Sequence, residues 1–139
     1  MSSSNKNKAT NDIRSSARER ALHFLYEAES RGVDVSKVIE AQILTVDDAV
    51  SSLAINVEAL RLKTDEMIVE HSHAWTINRM PAIDRNILRM AIYELIQRPE
   101  VPVAVVINEA VELAKRFSTE ESGKYVNGIL STIAKKVRA

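Results

Sequence analysis

The stretch DRNILRMAIYELIQRP, residues 84–99, decides the fold class of this chain. Its apolar residues recur at three- and four-residue steps and cover a broad arc of a helix: Ile87, Leu88, Ala91, Ile92 and Leu95. So broad an arc is typical of a helix that is buried on several sides. Asp84 is a suitable capping residue at its start, and Pro99 ends it. The stretch therefore predicts a helix that other helices surround.

Two more helices are predicted after this one. Pro102 suits the first turn of a helix over Val103–Phe117, because its missing N–H is not needed there. The sequence STEE at Ser118–Glu121 reads as a capping box that starts the final helix. That helix contains KYVNGILSTIAKK, residues 124–136, with Gly128 in its interior. Because an interior glycine costs roughly 0.5–1 kcal/mol relative to alanine, Gly128 needs an explanation.

The first half of the chain predicts four helices behind a polar tail. Residues 1–11 are polar and low in complexity, and are predicted to be disordered. A first helix is predicted over 12–30 with Gly32 after its end, and a short one over 35–42. Asp47 or Asp48 opens a third helix, and a fourth is predicted over 64–79. The fourth helix is expected to turn five side chains inward: Met67, Ile68, His71, Ala74 and Trp75.

The composition agrees with an all-helical globular domain. Of the 139 residues, 45% are hydrophobic, and only 3 are glycine and 3 proline. We therefore predict an all-α fold of about seven helices without strands, with a single domain over residues 12–139. The chain has no cysteine, which excludes disulfides and thiolate metal sites and is compatible with the reducing cytoplasm. No apolar run approaches the ~20 residues of a membrane span, and the N-terminus lacks the apolar core of a signal peptide.

The formal net charge of zero hides an uneven distribution. Residues 1–20 carry a balance of +3 and residues 115–139 a balance of +4, so the segment between them carries −7. If the two basic ends meet in space, they form a positive patch suited to phosphates. The alternative is an ordinary fluctuation of charge along a chain, and the charges alone do not decide between the two.

Sequence patterns for catalysis are missing. The three glycines lack the spacing of a phosphate-binding loop, and there is no G-x-S-x-G motif. His71 and His73 form an H-x-H pair, but on a helix their side chains point about 200° apart, which is unsuitable for a shared metal ion. Glu109 and Glu112 share a helix face, as solvated carboxylates often do. We therefore predict that the protein is not an enzyme and needs no cofactor or metal.

The first helix carries a row of residues suited to RNA. Arg14, Arg18, Leu22 and Tyr26 follow one another at four-residue steps on one flank of the apolar stripe. Arginine binds phosphates and stacks on bases, and tyrosine offers a stacking face. The alternative is that Tyr26 belongs to the edge of the core.

Three stretches together resemble one known family. SSARERALHFLYE, DRNILRMAIYEL and VPVAVVINEAVELAKRFSTEESGKYVNGIL resemble the NusB family of bacterial transcription antitermination factors. The resemblance covers the first helix and residues 75–133, and the motifs agree in order and spacing. It implies a fold of about seven helices arranged as two three-helix units.

The resemblance also implies a function. Family members bind the single-stranded boxA element of ribosomal RNA leader transcripts together with NusE, a small-subunit ribosomal protein. Their complex joins RNA polymerase and other Nus factors, so that ribosomal RNA operons are read without premature termination. The resemblance thereby implies a cytoplasmic adaptor that binds RNA and protein, rather than an enzyme.

Six residues match the RNA-binding positions of the family: Arg14, Arg18, Tyr26, Glu121, Lys124 and Tyr125. Many relatives have a denser arginine cluster than RSSAR, residues 14–18, and this chain also has Lys6 and Lys8 in the tail. Asp84 matches the acidic position that faces NusE. From the spacing, we expect Gly128 to let another helix backbone approach closely and hold Lys124 and Tyr125 against the first helix.

Two alternatives stay open. The N-terminal RNA-binding unit of ribosomal RNA cytosine methyltransferases resembles NusB, but those enzymes need a following catalytic domain with a reactive cysteine. The 139 residues contain no cysteine, which favours the adaptor. A self-associating structural protein is the other alternative, because some NusB-like proteins form homodimers.

Overall fold

The computed structural model describes residues 3–72 and 76–138, with the backbone alone for residues 3–13. In this part of the chain there are seven α-helices and no strand, which confirms the predicted all-α class: α1 (Ser3–Arg31), α2 (Val35–Glu40), α3 (Asp48–Ala59), α4 (Arg61–His71), α5 (Ala82–Gln97), α6 (Val103–Phe117) and α7 (Glu120–Val137). No helix is both long enough and apolar enough to cross a membrane in the described residues. The chain divides into two compact units, residues 1–55 and 56–139. The single domain over residues 12–139 stays a prediction.

In the first unit, α1 packs against α2. Helix α1 begins at Ser3 and not at the predicted Asp12, so it extends into the segment predicted as a disordered tail. No glycine or proline interrupts the first 31 residues, and Asp12 therefore lies within the helix. The end of α1 is as predicted: Gly32 has φ +67°, and the N–H groups of Gly32 and Val33 donate to the carbonyls of Glu29 and Ala28. This pair of bonds is a Schellman cap, which favours glycine.

In the second unit, α5 packs against α4, α6 and α7. Its residues from Asn86 to Leu95 are all buried, which confirms the helix predicted from its broad apolar arc. Each fully buried Leu or Ile contributes about 1.5–3 kcal/mol to stability. Helix α6 spans the predicted residues, Val103–Phe117, with Pro102 at its N-cap position. The core of this unit therefore forms around α5, as the sequence indicates.

Helix α4 ends earlier than predicted. It stops at His71, and residues 77–79 form a turn, so the predicted helix over 64–79 is wrong in its last part. No glycine or proline between Lys63 and Met80 marks this end. The next residue, Ser72, instead makes a hydrogen bond to a residue 53 positions away, which local periodicity does not encode. The predicted inward side chains of Ala74 and Trp75, and His73, lie outside the described residues.

The side chain of Arg138 closes the far end of α5. Its guanidinium group donates to four backbone carbonyls at the end of α5 and in the loop after it: those of Glu94, Leu95, Arg98 and Val101. The last carbonyls of a helix have no partner within the helix, and a cation there also interacts favourably with the helix dipole. Arg138 therefore ties the end of α7 to the end of α5.

The close approach predicted at Gly128 is wrong. A Cβ atom on Gly128 would meet none of the described residues within 4 Å, and Gly128 is exposed. The crowded glycine of α7 is Gly123, where a Cβ would lie 3.0 Å from Cγ of Lys115 and 3.6 Å from Cγ1 of Val111. Gly123 thus lets α6 and α7 pack closely, whereas Gly128 faces open space.

Candidate nucleic-acid interface

The first turn of α7 begins one residue later than the predicted capping box. Thr119 is the N-cap, and its Oγ1 accepts a hydrogen bond of 3.0 Å from the backbone N–H of Ser122. Ser118 precedes the N-cap, and its hydroxyl lies 2.9 Å from the hydroxyl of Ser122. With Thr119 as the cap, Glu121 is the second residue of the helix and not the third. Glu121 is therefore not the partner in a capping box, and its carboxylate faces solvent.

The Lys124 and Glu121 side chains form an ion pair on the surface of α7. The Lys124 Nζ lies 3.5 Å from Glu121 Oε1, with 75% of the lysine side chain and 83% of the glutamate side chain exposed. Exposed pairs of this kind contribute little to stability, with a median of about 0–1 kcal/mol. The pair does change the surface, since a carboxylate beside Lys124 partly neutralises the charge that a phosphate would meet.

Tyr125 is half-buried, and its hydroxyl is bound to another helix end. The Oη of Tyr125 lies 2.6 Å from Oγ of Ser72, the residue that follows α4. A tyrosine whose hydroxyl is bound has a more restricted ring than one with a free hydroxyl. The structure thus places Lys124 and Tyr125 side by side on α7, and only the ring of Tyr125 is held from outside the helix.

Asp84 is fully buried, with 0% exposure. It is the third residue of α5 and makes no capping bond, so the predicted capping role is wrong. Its Oδ2 accepts a hydrogen bond of 2.7 Å from Oγ of Ser122 on α7. Among the described residues, its Oδ1 has no hydrogen-bond partner. In the structure of the chain alone, Asp84 therefore presents no charge at the surface, and its predicted contact with NusE stays a prediction.

In the first unit, the predicted row on α1 divides into exposed and buried residues. Arg14 is exposed and 43% of Tyr26 is exposed, as a surface that binds RNA requires. Arg18 is 4% exposed and Leu22 is 0% exposed. The middle of the row is therefore buried, and the predicted contact of Arg18 with RNA stays a prediction. Arg20, which is exposed, lies over the ring of Phe24 at 5.7 Å from its centroid.

The basic residues near the end of the chain are largely on the surface. Five of the six cations between residues 115 and 139 are exposed: Lys115, Arg116, Lys124, Lys135 and Lys136. The sixth, Arg138, binds the end of α5. In the part of the chain that the structure describes, no group of three or more His, Cys, Asp or Glu side chains is placed to hold a metal ion. The surface of the second unit therefore combines exposed cations with one restrained aromatic ring.

Sequence reasoning missed three residues that shape the start of α7. Ser72 and Ser122 bind Tyr125 and Asp84, and Gly123 permits the close packing against α6. A signal existed for Ser122, which stands three residues after Thr119, a spacing that suits a helix cap. Ser72 gave no signal, because its partner is distant in sequence.

The comparisons with known proteins agree on one family. The family model described as the NusB family matches residues 15–135. The transcription antitermination protein NusB of Thermobifida fusca is 44% identical over 127 residues, covering 88% of this chain and 89% of that protein. The protein of the same name in Saccharopolyspora erythraea is 44% identical over 127 residues, covering 87% of this chain and 86% of that protein.

Solved structures agree as well. NusB of T. maritima superposes with a TM-score of 0.79 at 34% identity, covering 88% of this chain and 91% of that one. A chain of the complex of antitermination factors NusB and NusE with double-stranded RNA has a TM-score of 0.75 at 30% identity, covering 88% of this chain and 96% of that one. The sequence match over most of the chain and the shared helical architecture lead to one conclusion: this chain belongs to the NusB family.

Proposed function

We propose that this protein is a transcription antitermination factor that binds boxA-type single-stranded RNA together with the ribosomal protein NusE. In this proposal it acts in the cytoplasm as a non-catalytic adaptor, and the RNA–protein complex joins RNA polymerase to promote readthrough of ribosomal RNA operons. Family membership supports the proposal, since relatives of this chain carry the name transcription antitermination protein. The related NusB–NusE complex with RNA supports the two partners.

The observation that carries the proposal is the segment 121–125 on the first turns of α7. It exposes a lysine and holds a neighbouring aromatic ring, two groups that recognise different parts of a nucleic acid. The lysine suits a phosphate and the ring suits a base, which is the combination that single-strand binding proteins use. On α1, Arg14 and Tyr26 offer the same two groups.

The binding test is a titration of labelled RNA with this protein and NusE. A boxA-type single strand, a scrambled strand of the same composition and a duplex of the boxA strand are compared at several salt concentrations. We expect the boxA strand to bind most tightly, NusE to increase the affinity, and the affinity to fall as salt rises. Equal binding of the boxA and scrambled strands would contradict the proposed specificity. Preference for the duplex would contradict the proposed single-stranded ligand.

The transcription test uses purified RNA polymerase on a ribosomal RNA leader template that ends in a terminator. We expect this protein to increase readthrough only when NusE, the other Nus factors and an intact boxA are present. Unchanged readthrough under these conditions would contradict the antitermination function, even if the RNA binds.

A further inference from the structure

Two side-chain hydrogen bonds connect the segment 121–125 to α5 and to the end of α4. Ser122 Oγ donates to Asp84 Oδ2 on α5 at 2.7 Å, and Tyr125 Oη lies 2.6 Å from Ser72 Oγ at the end of α4. We infer that this double tether positions the ring of Tyr125 for RNA beside the exposed Lys124, so that Ser72, Asp84 and Ser122 are positioning residues. The inference rests on the proposed RNA-binding function and adds to it residues that need not touch RNA.

The first bond of the double tether is buried. Asp84 is 0% exposed and Ser122 is 1% exposed. The Ser122 hydroxyl also accepts a hydrogen bond of 3.0 Å from Thr119 Oγ1, the cap of α7. The carboxylate of Asp84 therefore connects the start of α5 to the N-cap of α7. Loss of one partner of a buried hydrogen bond leaves the other unsatisfied, so this bond strongly favours one position of the helix start.

The second bond of the double tether fixes a ring. Tyr125 stands three residues after the buried Ser122 and four after the exposed Glu121, so its side chain lies between these two around α7. Its hydroxyl is bound to Ser72, while the Glu121 and Lys124 side chains point to solvent. A base that stacks on a restrained ring needs less ordering of that ring on binding. The second bond thus prepares the stacking face before RNA arrives.

The residues of the double tether differ from the residue expected to contact phosphate, Lys124. Lys124 and its partner Glu121 are exposed, whereas the four tether residues are buried or half-buried. Removal of a tether bond should therefore weaken RNA binding without changing the number of ion contacts. The expected signature is a lower affinity at every salt concentration with an unchanged salt slope.

The first test is a double-mutant cycle on the second bond. Ser72→Ala and Tyr125→Phe each remove one hydroxyl of the same bond, and each should lower the affinity for the boxA strand roughly three- to tenfold, the range of one hydrogen bond. The double variant should be no weaker than the weaker single variant, because the bond is lost only once. Ser72→Thr, which keeps the hydroxyl, should restore binding. Ser131→Ala is the matched control, since Ser131 bonds Asn127 on the same helix at an exposed site.

The second test removes the buried bond. Ser122→Ala keeps the backbone N–H that Thr119 caps, and should lower the affinity with an unchanged salt slope. All titrations are made well below each variant's melting temperature. Full RNA affinity in both Ser72→Ala and Ser122→Ala would overturn the inference, because the bonds would then serve stability alone. Additive losses in the Ser72–Tyr125 cycle would overturn it for the second bond.

Amide hydrogen exchange distinguishes a failure of the inference from a failure of the proposed function. In the parent protein without RNA, the amides of residues 122–125 should be protected, and Ser72→Ala and Ser122→Ala should expose them. If exchange changes as expected but the parent protein with NusE does not bind boxA RNA, the proposed function fails and the positioning role fails with it. If the parent binds RNA and exchange does not change in the variants, only the double tether is wrong.

Discussion

Arg89 on α5 binds Asp65 on α4 through two parallel hydrogen bonds. Its Nε lies 2.6 Å from Asp65 Oδ1, and its Nη2 lies 3.0 Å from Asp65 Oδ2. The arginine side chain is 6% exposed, whereas the aspartate side chain is 25% exposed. The two charges are thus unequally buried, and removal of one is not equivalent to removal of the other.

We expect Asp65→Ala to destabilise the protein more than Arg89→Met. Asp65→Ala leaves a buried guanidinium without its carboxylate, which typically costs about 3–5 kcal/mol. Arg89→Met removes the buried charge itself and keeps an apolar side chain of similar length, so the cost should be smaller. The free energy of unfolding from urea titrations of both variants measures the difference. A larger loss in Arg89→Met would contradict this asymmetry.

The two glycines of α7 should respond oppositely to alanine. Gly128→Ala adds a methyl group in open space within a helix, and should raise the free energy of unfolding by roughly 0.5–1 kcal/mol. Gly123→Ala places the methyl group 3.0 Å from Cγ of Lys115, so that side chain must move and the gain should be smaller or become a loss. Thermal and urea unfolding of the two variants provide the comparison. A destabilised Gly128→Ala would show that another group contacts this position.

Arg14 and Arg18 should differ in their effect on RNA binding. Arg14 is exposed, and Arg14→Ala should flatten the plot of log affinity against log salt by about 0.7, the value for one lost phosphate contact with a single strand. Arg18 is 4% exposed, and Arg18→Ala should lower stability by about 1–3 kcal/mol with no change in the salt slope. Titrations at four salt concentrations, with melting curves for both variants, test the difference. A flatter slope in Arg18→Ala would show that Arg18 reaches RNA after all.

Removal of the Glu121 carboxylate should strengthen RNA binding. Glu121→Gln removes a negative charge that lies 3.5 Å from the Lys124 ammonium group, and thereby frees the lysine for phosphate. The matched control is Glu120→Gln, at an exposed acidic residue in the same first turn. Both substitutions remove a charge favoured near a helix N-terminus, so both should cost about 0.3–1 kcal/mol of stability. Only Glu121→Gln should bind RNA more tightly; an equal gain in both would indicate a general effect of charge.

The sequence predicted the helices best where local signals define both ends. Pro102 before α6 and Gly32 after α1 act through their own backbone geometry, and both ends were predicted correctly. The end of α4 was not predicted correctly, because it coincides with the hydrogen bond between Ser72 and Tyr125. The cap of α7 lies one residue later than predicted, since Ser118 and Thr119 both carry a hydroxyl and the bond from the Ser122 backbone N–H to Thr119 Oγ1 identifies the cap.

The candidate site was less predictable than the fold. A four-residue spacing shows which residues share a flank of a helix, but not how far that flank turns toward the core. Leu22, which stands in the same row as Arg18, is a signal that this part of the flank is buried. The resemblance to the NusB family identifies Asp84 as a candidate for partner binding. It does not reveal the hydrogen bond from Ser122 to Asp84, because the two residues are 38 positions apart. Periodicity carries no information on such a bond.

The hydrogen bonds of Arg138 have a consequence for the order of folding. They join residues that are 37 to 44 positions apart, so they form only when α7 has docked on α5 and the intervening chain has closed into a loop. We expect them to be absent from the folding transition state. Arg138→Met should then leave the folding rate nearly unchanged and accelerate unfolding, which stopped-flow measurements in urea would show. Arg138 would thus contribute to kinetic stability: it would slow unfolding of the native state and have little effect on the rate of folding.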